Sequence, residues 1–140
     1  MYPYGLIGNC QASALVDQMG TVAWLCLPRP DSPPVFGHML DPDGGHFSIT
    51  PAGEYKSHQC YIQNTNILVT KFVCDDGSEF LVTDFCPRFE QYGRNYRPMS
   101  LFRIVEPIKG HSVIKIACRP VNGWEKEYAK PIRGNSHIKF

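Results

Sequence analysis

Short apolar segments separated by Gly, Pro, Asn and Asp recur along this chain, and nowhere does an apolar period of 3.6 residues persist for three turns. That pattern, with 12 glycines and 12 prolines between the segments, predicts an all-β fold built as an antiparallel two-sheet β-sandwich with at most one short helix. Residues 12–16 and 21–27 read as strands joined by Asp17-Gln18-Met19-Gly20, a length that suits a type I turn with Gly at its left-handed end. Residues 66–74 and 79–86 flank Asp75-Asp76-Gly77, whose Asp-Gly step favours the positive φ angles of a tight hairpin. Both flanks are apolar at odd and even positions (Ile67, Leu68, Val69; Phe80, Leu81, Val82), which predicts central strands covered on both faces.

Later segments are read in the same way. Residues 113–118 alternate, with Ile114, Ile116 and Cys118 on one side and Lys115 on a wet one, and residues 101–105 are expected to pair with them through Glu106-Pro107-Ile108-Lys109-Gly110. Residues 33–40 offer the one plausible helical turn, with Asp31 or Ser32 as its cap, ending at Asp41-Pro42-Asp43-Gly44-Gly45. Residues 89–98 are polar and aromatic without alternation and read as an exposed loop. His137-Ile138-Lys139-Phe140 looks like a strand begun after a turn, so the expectation is either a strand that closes a sheet or a longer parent protein.

Composition narrows the function classes. At 140 residues with 43% hydrophobic content, residues 1–140 suit one domain with one substantial core. Lys plus Arg number 14 against 13 Asp plus Glu with no basic stripe, so no nucleic-acid partner is implied. The first residues lack the basic and apolar regions of a secretory signal. The run at residues 22–27 stops at Pro28, far short of the roughly 20 residues of a membrane helix. A soluble, cytoplasmic protein without membrane contact is expected. The 6 cysteines (Cys10, Cys26, Cys60, Cys74, Cys86, Cys118) show no Cys-x-x-Cys spacing and several lie in apolar runs. They read as buried free thiols, with disulfides in an oxidising compartment as the alternative.

No Gly-x-Ser-x-Gly elbow, phosphate-cradling glycine loop or His-Glu-x-x-His is present. The 5 histidines lack ligand spacing; His58-Gln59-Cys60 alone would put two donors on one strand face, too few for a tetrahedral zinc. No metal and no cofactor are expected, and Glu54, Glu79, Glu90, Glu106, Glu125 and Glu127 match no catalytic motif.

The densest constellation is Trp24-Leu25-Cys26-Leu27-Pro28-Arg29-Pro30-Asp31-Ser32-Pro33, a buried strand leaving into a proline-stiffened loop. With Tyr4-Gly5-Leu6-Ile7-Gly8-Asn9-Cys10, Asp41-Pro42-Asp43-Gly44-Gly45-His46-Phe47 and Tyr61-Ile62-Gln63-Asn64-Thr65-Asn66-Ile67-Leu68, it resembles the start of glycoside hydrolase family 15 proteins of the trehalase-like or bacterial glucoamylase-like branch. Asp76-Gly77, Val82-Thr83-Asp84-Phe85-Cys86-Pro87-Arg88 and Arg103-Ile104-Val105-Glu106 extend the resemblance, while Pro30 and Cys86 depart from it: the family usually has an aromatic residue at the first and an aliphatic one at the second.

The resemblance implies an amino-terminal β-sandwich, followed in the parent protein by a barrel of paired α-helices. Two barrel glutamates would cleave an α-glucoside, trehalose or a maltooligosaccharide, with inversion, one protonating the leaving oxygen and the other activating water. Both would lie beyond residue 140, so no catalytic residue is expected in this chain and the chain alone is expected to be inactive. Its role is then to dock on the barrel and shape the cleft, with Arg29, Asp31 and Trp24 as candidate substrate contacts, the alternative being that Arg29 and Asp31 simply pair with each other or cap the following turn. The alternative is a free-standing carbohydrate-binding module, in which Tyr92, Tyr96 and Trp124 would stack on sugar rings and Trp24 would belong to the core. An orphaned domain is also expected to form homo-oligomers through the surface the barrel would cover.

Overall fold

The computed structural model describes residues 3–125 and 127–140. The first sheet is built from β1 (Tyr4–Gly8), β2 (Ser13–Asp17), β3 (Thr21–Cys26), β4 (Pro34–Phe36), β5 (His46–Pro51) and, later in the chain, β12 (Ile114–Arg119); its order is β1-β2-β3-β5-β12, with β4 also on β3. The second consists of β6 (Tyr55–Tyr61), β7 (Leu68–Cys74), β8 (Glu79–Phe85) and β11 (Phe102–Lys109), in the order β11-β8-β7-β6. Two small hairpins stand apart, β9 (Phe89–Gln91) with β10 (Arg94–Tyr96) and β13 (Ile132–Arg133) with β14 (Ile138–Lys139). All these pairings are antiparallel. Among the described residues the helical content is the 3-10 turn Gly123–Glu125, and no helix is long and apolar enough to cross a membrane.

Two clusters form the core between the sheets. Ile7, Ala14, Val16, Val22, Leu25, Phe36 and Leu68 make the first; Ile49, Phe72, Phe80 and Val82 make the second, and Phe47 packs against both. Alternation along each strand produces this, since every second side chain of β2, β7 and β8 points inward.

The two hairpins expected on turn chemistry form. Gly20 closes the β2–β3 turn at φ 75°, and a Cβ there would lie 2.8 Å from the Phe72 ring, so glycine answers both a backbone and a packing demand. Gly77 closes β7–β8 at φ 78°. Those strands are central, but their outer faces carry half-buried residues such as Val69, Leu81 and Phe85 rather than buried ones, so the expected cover on both sides is corrected to one.

Three other expectations are corrected. Residues 101–105 and 113–118 do not pair: β11 joins β8 with Arg103 opposite Asp84, while β12 joins β5 with Ile114 opposite Pro51. Alternation specifies a side chain's face and not its partner strand, and burying Ile114 beside Ile49 and Phe72 sends β12 to the other sheet. The helical turn at 33–40 is instead β4, because Phe36 is buried opposite Leu25 and the amides of Gly37 and His38 bond to Gly44 O and Gly45 O. A single turn survives at its end, where Gly37 O accepts from the amides of Leu40 and Asp41. The exposed segment 89–98 is a hairpin whose corner, Tyr92 and Gly93, holds φ of 52° and 68°, the double positive pair of a type I′ turn.

Candidate functional site

At one end of the first sheet the chain gathers most of the residues singled out from sequence. Trp24 on β3 is half-buried, and its ring lies 6.4 Å from that of Trp124, the two tilted by 48°. The 3-10 turn brings Trp124 there: Gly123 takes φ 63° against Pro33, where a Cβ would meet the proline at 2.7 Å. Trp124 stays 65% exposed beside a shallow apolar niche lined by Pro34, Gly37, Leu40 and Gly44. The loop that follows β3 turns through a cis Leu27–Pro28 bond. In it the Arg29 guanidinium donates to both carboxylate oxygens of Asp31, 2.9 Å at Oδ1, and the Ser32 hydroxyl accepts from the Arg29 amide. The two side chains are 73% and 66% exposed, so the pair itself adds little stability, but its outer faces are open to a ligand.

The tyrosines lie elsewhere. Tyr96 stacks on Phe89 at 5.6 Å across the β9–β10 hairpin, and Tyr92 stands at its tip, 89% exposed. Among the described residues no ring contact joins either tyrosine to the tryptophan pair.

The polar groups that hold this frame together lie outside the densest motif in the sequence. Arg103 on β11 donates from Nε and Nη2 to the two oxygens of Asp84 on β8, at 2.8 and 3.1 Å, and from Nη1 to Phe47 O at 2.6 Å; Gly20 O accepts as well. Its guanidinium lies over the Phe47 ring at 4.8 Å. One buried side chain of the second sheet is thus fastened to two points on the first. Burial pushes the Asp84 carboxyl up, against the opposing pull of Arg103. A lone charge at an inward position of each strand, in Val82-Thr83-Asp84-Phe85 and in Leu101-Phe102-Arg103-Ile104, was the available signal.

Asn9 is the second such group. Its Oδ1 accepts from the amides of Gln11 and Ala12, and its Nδ2 donates at 2.8 Å to both Pro87 O and Pro98 O. It ties the β1–β2 turn to both ends of the segment that bears the tyrosine hairpin. The outer edge of β1 is closed by β6 and the connection after it: the Tyr61 hydroxyl accepts from Leu6 N and donates to Leu6 O, and Asn66, between β6 and β7, donates to Gly8 O.

His46 and His38 lie with ring centroids 5.4 Å apart. His46 Nδ1 is buried without a hydrogen-bond partner among the described residues. Burial, then the nearby charges of His38 and Arg119, hold His46 below the ordinary histidine value, with Asp17 opposing them. A lowered folded pKa means that the unfolded chain takes up the proton first, so this contribution to stability is full above the unfolded pKa of 6.5 and is lost as pH falls through the folded value. Melting curves at pH 7.5 and 5 should therefore show a smaller acid destabilisation for His46→Gln than for the wild-type chain. Equal loss in both would refute the assignment.

The cysteines are free thiols, but Cys10 and Cys60 are exposed, which corrects the expectation that they are buried. Burial pushes the Cys86 thiol up to about 11, so it is inert as a nucleophile. No group of three or more His, Cys, Asp or Glu among the described residues is placed to hold a metal ion. Among the described residues, three of the four best-formed surface grooves are lined by no acid and the fourth has Asp41 as its one acid, so none of these four presents the paired carboxyl groups of a glycosidase.

Residues 3–128 match the family described as "Trehalase-like, N-terminal". The chain is 30% identical to the trehalase of Mycolicibacterium smegmatis over 95% of its own length and 23% of the relative's. It is 36% identical to the trehalase of Thermoplasma volcanium over 92% of the chain and 20% of the relative, and 46% identical to trehalase 1 of Sulfolobus acidocaldarius over 59% and 14%. The chain thus spans at most about a quarter of the length of these curated relatives. No solved structure matches it.

Proposed function

We propose, because this chain belongs to the trehalase-like N-terminal family, that its task is to pack against the catalytic portion of a trehalase-type α-glucoside hydrolase and shape one wall of its substrate cleft. The observation that carries this is the match over residues 3–128 to a segment that makes up only a fifth or so of the related trehalases. In this reading the catalytic portion is a helical barrel that supplies both acids, and trehalose or a maltooligosaccharide reaches this domain only at the cleft. The Arg29–Asp31 pair, on a loop stiffened by Pro28, Pro30 and Pro33, would offer a planar donor and a carboxylate to sugar hydroxyls, with Trp24 holding the base of the loop. The free thiols support a cytoplasmic location, and in isolation the domain self-associates through surface that the barrel would cover.

In a trehalase-length protein carrying this domain, Arg29→Ala and Asp31→Ala are expected to raise KM for trehalose about tenfold while changing Tm little, since exposed pairs contribute under about 1 kcal/mol. A shift in Tm with unchanged KM and kcat would make the loop merely structural.

A second reading, a carbohydrate-binding module, is favoured by the exposed face of Trp124 braced on Trp24 and by Tyr92 and Tyr96 on the outlying hairpin. Titrating the isolated chain with maltooligosaccharides while following tryptophan fluorescence separates the two: a saturable change lost in Trp124→Ala supports the module, and a flat response supports docking.

A further inference from the structure

The sheet edges are not alike. β1 is closed by Tyr61 at the end of β6 and by Asn66 in the β6–β7 connection. β11 carries Pro107, which has no amide to donate, and an irregular register between Pro107 and Lys109. β6 is polar on both faces through Lys56, Ser57, His58 and Gln59. β12 has none of these protections: it pairs with β5 from Ile114 to Arg119 without a bulge and contains no proline. Among the described residues no strand pairs with its other side, and no backbone hydrogen bond ties the β13–β14 hairpin to it.

Ile114 and Cys118 point inward and pack on the two core clusters. Ile116 lies on the same side between them, yet it is 64% exposed. The second sheet ends at β11 and leaves this inward-facing side chain at the rim, in a groove whose other wall is residues 131–140, with the apolar Ile138 and Phe140 beside the polar Arg133, Asn135, Ser136 and His137.

We propose that this rim is where two copies of the chain associate, by antiparallel pairing of β12 with β12 of the second copy, centred on Ile116. Only registers that put inward residues opposite inward residues keep the pleat continuous. Centring on Ile116 sets Ile116 against its own counterpart, Ile114 against Cys118 and Lys115 against Ala117, so apolar meets apolar on one face and no like charges face each other. Centring one residue earlier sets Lys115 against Lys115, and one residue later sets Lys115 against Arg119. The sequence of β12 is therefore complementary to itself in this one central register. The proposal rests on the self-association stated above and specifies its surface.

Sedimentation velocity on the isolated chain should show a monomer–dimer equilibrium with a dissociation constant on the order of tens of micromolar, as suits a small interface. Ile116→Lys, at an exposed position, should give a folded monomer, whereas Ile104→Lys, on the exposed outer face of the second sheet, should leave the dimer intact. Mild oxidation of Ile116→Cys should yield a covalent dimer that the wild-type cysteines do not form, because facing residues of paired strands lie within disulfide range; this holds as a test even if the lysine variant misfolds. A monomer throughout the concentration range defeats both the self-association and its surface. A dimer indifferent to Ile116→Lys, dispersed by Ile104→Lys instead, or lacking the residue 116 crosslink defeats the surface alone.

Discussion

Asp84→Ala is expected to lower the unfolding free energy by about 3–5 kcal/mol, because it strands the Arg103 guanidinium in the interior. The two side chains are 0% and 2% exposed, so water cannot replace the lost acceptor. For a chain of this size that is a fall in Tm on the order of 10–20 °C. The cost belongs to the broken pair and not to the intact one: burial raises the Asp84 carboxyl despite Arg103, so ionising it costs more in the folded chain than in the unfolded one. By linkage, Asp84's contribution is most favourable below its ordinary pKa and declines as pH rises through the raised one. Asp84→Leu with Arg103→Met should accordingly recover most of the stability lost in either single variant. Urea melts of the wild type, Asp84→Ala, Asp84→Leu, Arg103→Met and the double variant check this. A loss under about 1 kcal/mol in Asp84→Ala, or a double variant no better than the singles, would exclude an inter-sheet role for the pair.

Asn9→Ala should cost about 3 kcal/mol and loosen one region first. The side chain meets two donors and two acceptors, and its removal leaves the Ala12 amide among groups that are buried without a partner. Asn9→Asp separates the two halves of the arrangement: a carboxylate still accepts from Gln11 and Ala12, but it turns a charge toward Pro87 O and Pro98 O, which need a donor. Both variants should speed proteolysis within residues 88–97, since that segment's two ends lose their common anchor. Digestion that starts elsewhere, or at the wild-type rate, would count against this role for Asn9.

The stretches that carry the family resemblance also contain Asn9, Asp84 and Arg103, yet the most distinctive motif points to the polar pair Arg29 and Asp31. Those two bond to each other in the open, whereas the buried pair comes from segments 19 residues apart. A charge inside an apolar strand is visible in a sequence; its partner is not. The tryptophans show the same limit. Trp24 was readable as a strand residue, but its contact with Trp124 spans most of the chain and depends on the 3-10 turn reaching Pro33.

Local chemistry determined what could be read without coordinates: Gly20 and Gly77 mark turns because only glycine meets their positive φ without strain, and alternation marks strands and the side each residue occupies. Which strands pair, that β12 leaves β11 for β5, that Phe36 is drawn into a strand and that β12 ends as an open edge were decided by the tertiary structure. The reason is physical. Turn propensity and periodicity act over a few residues, while strand pairing follows the burial of side chains that are distant in sequence, a free energy that exists only once both sheets are in place.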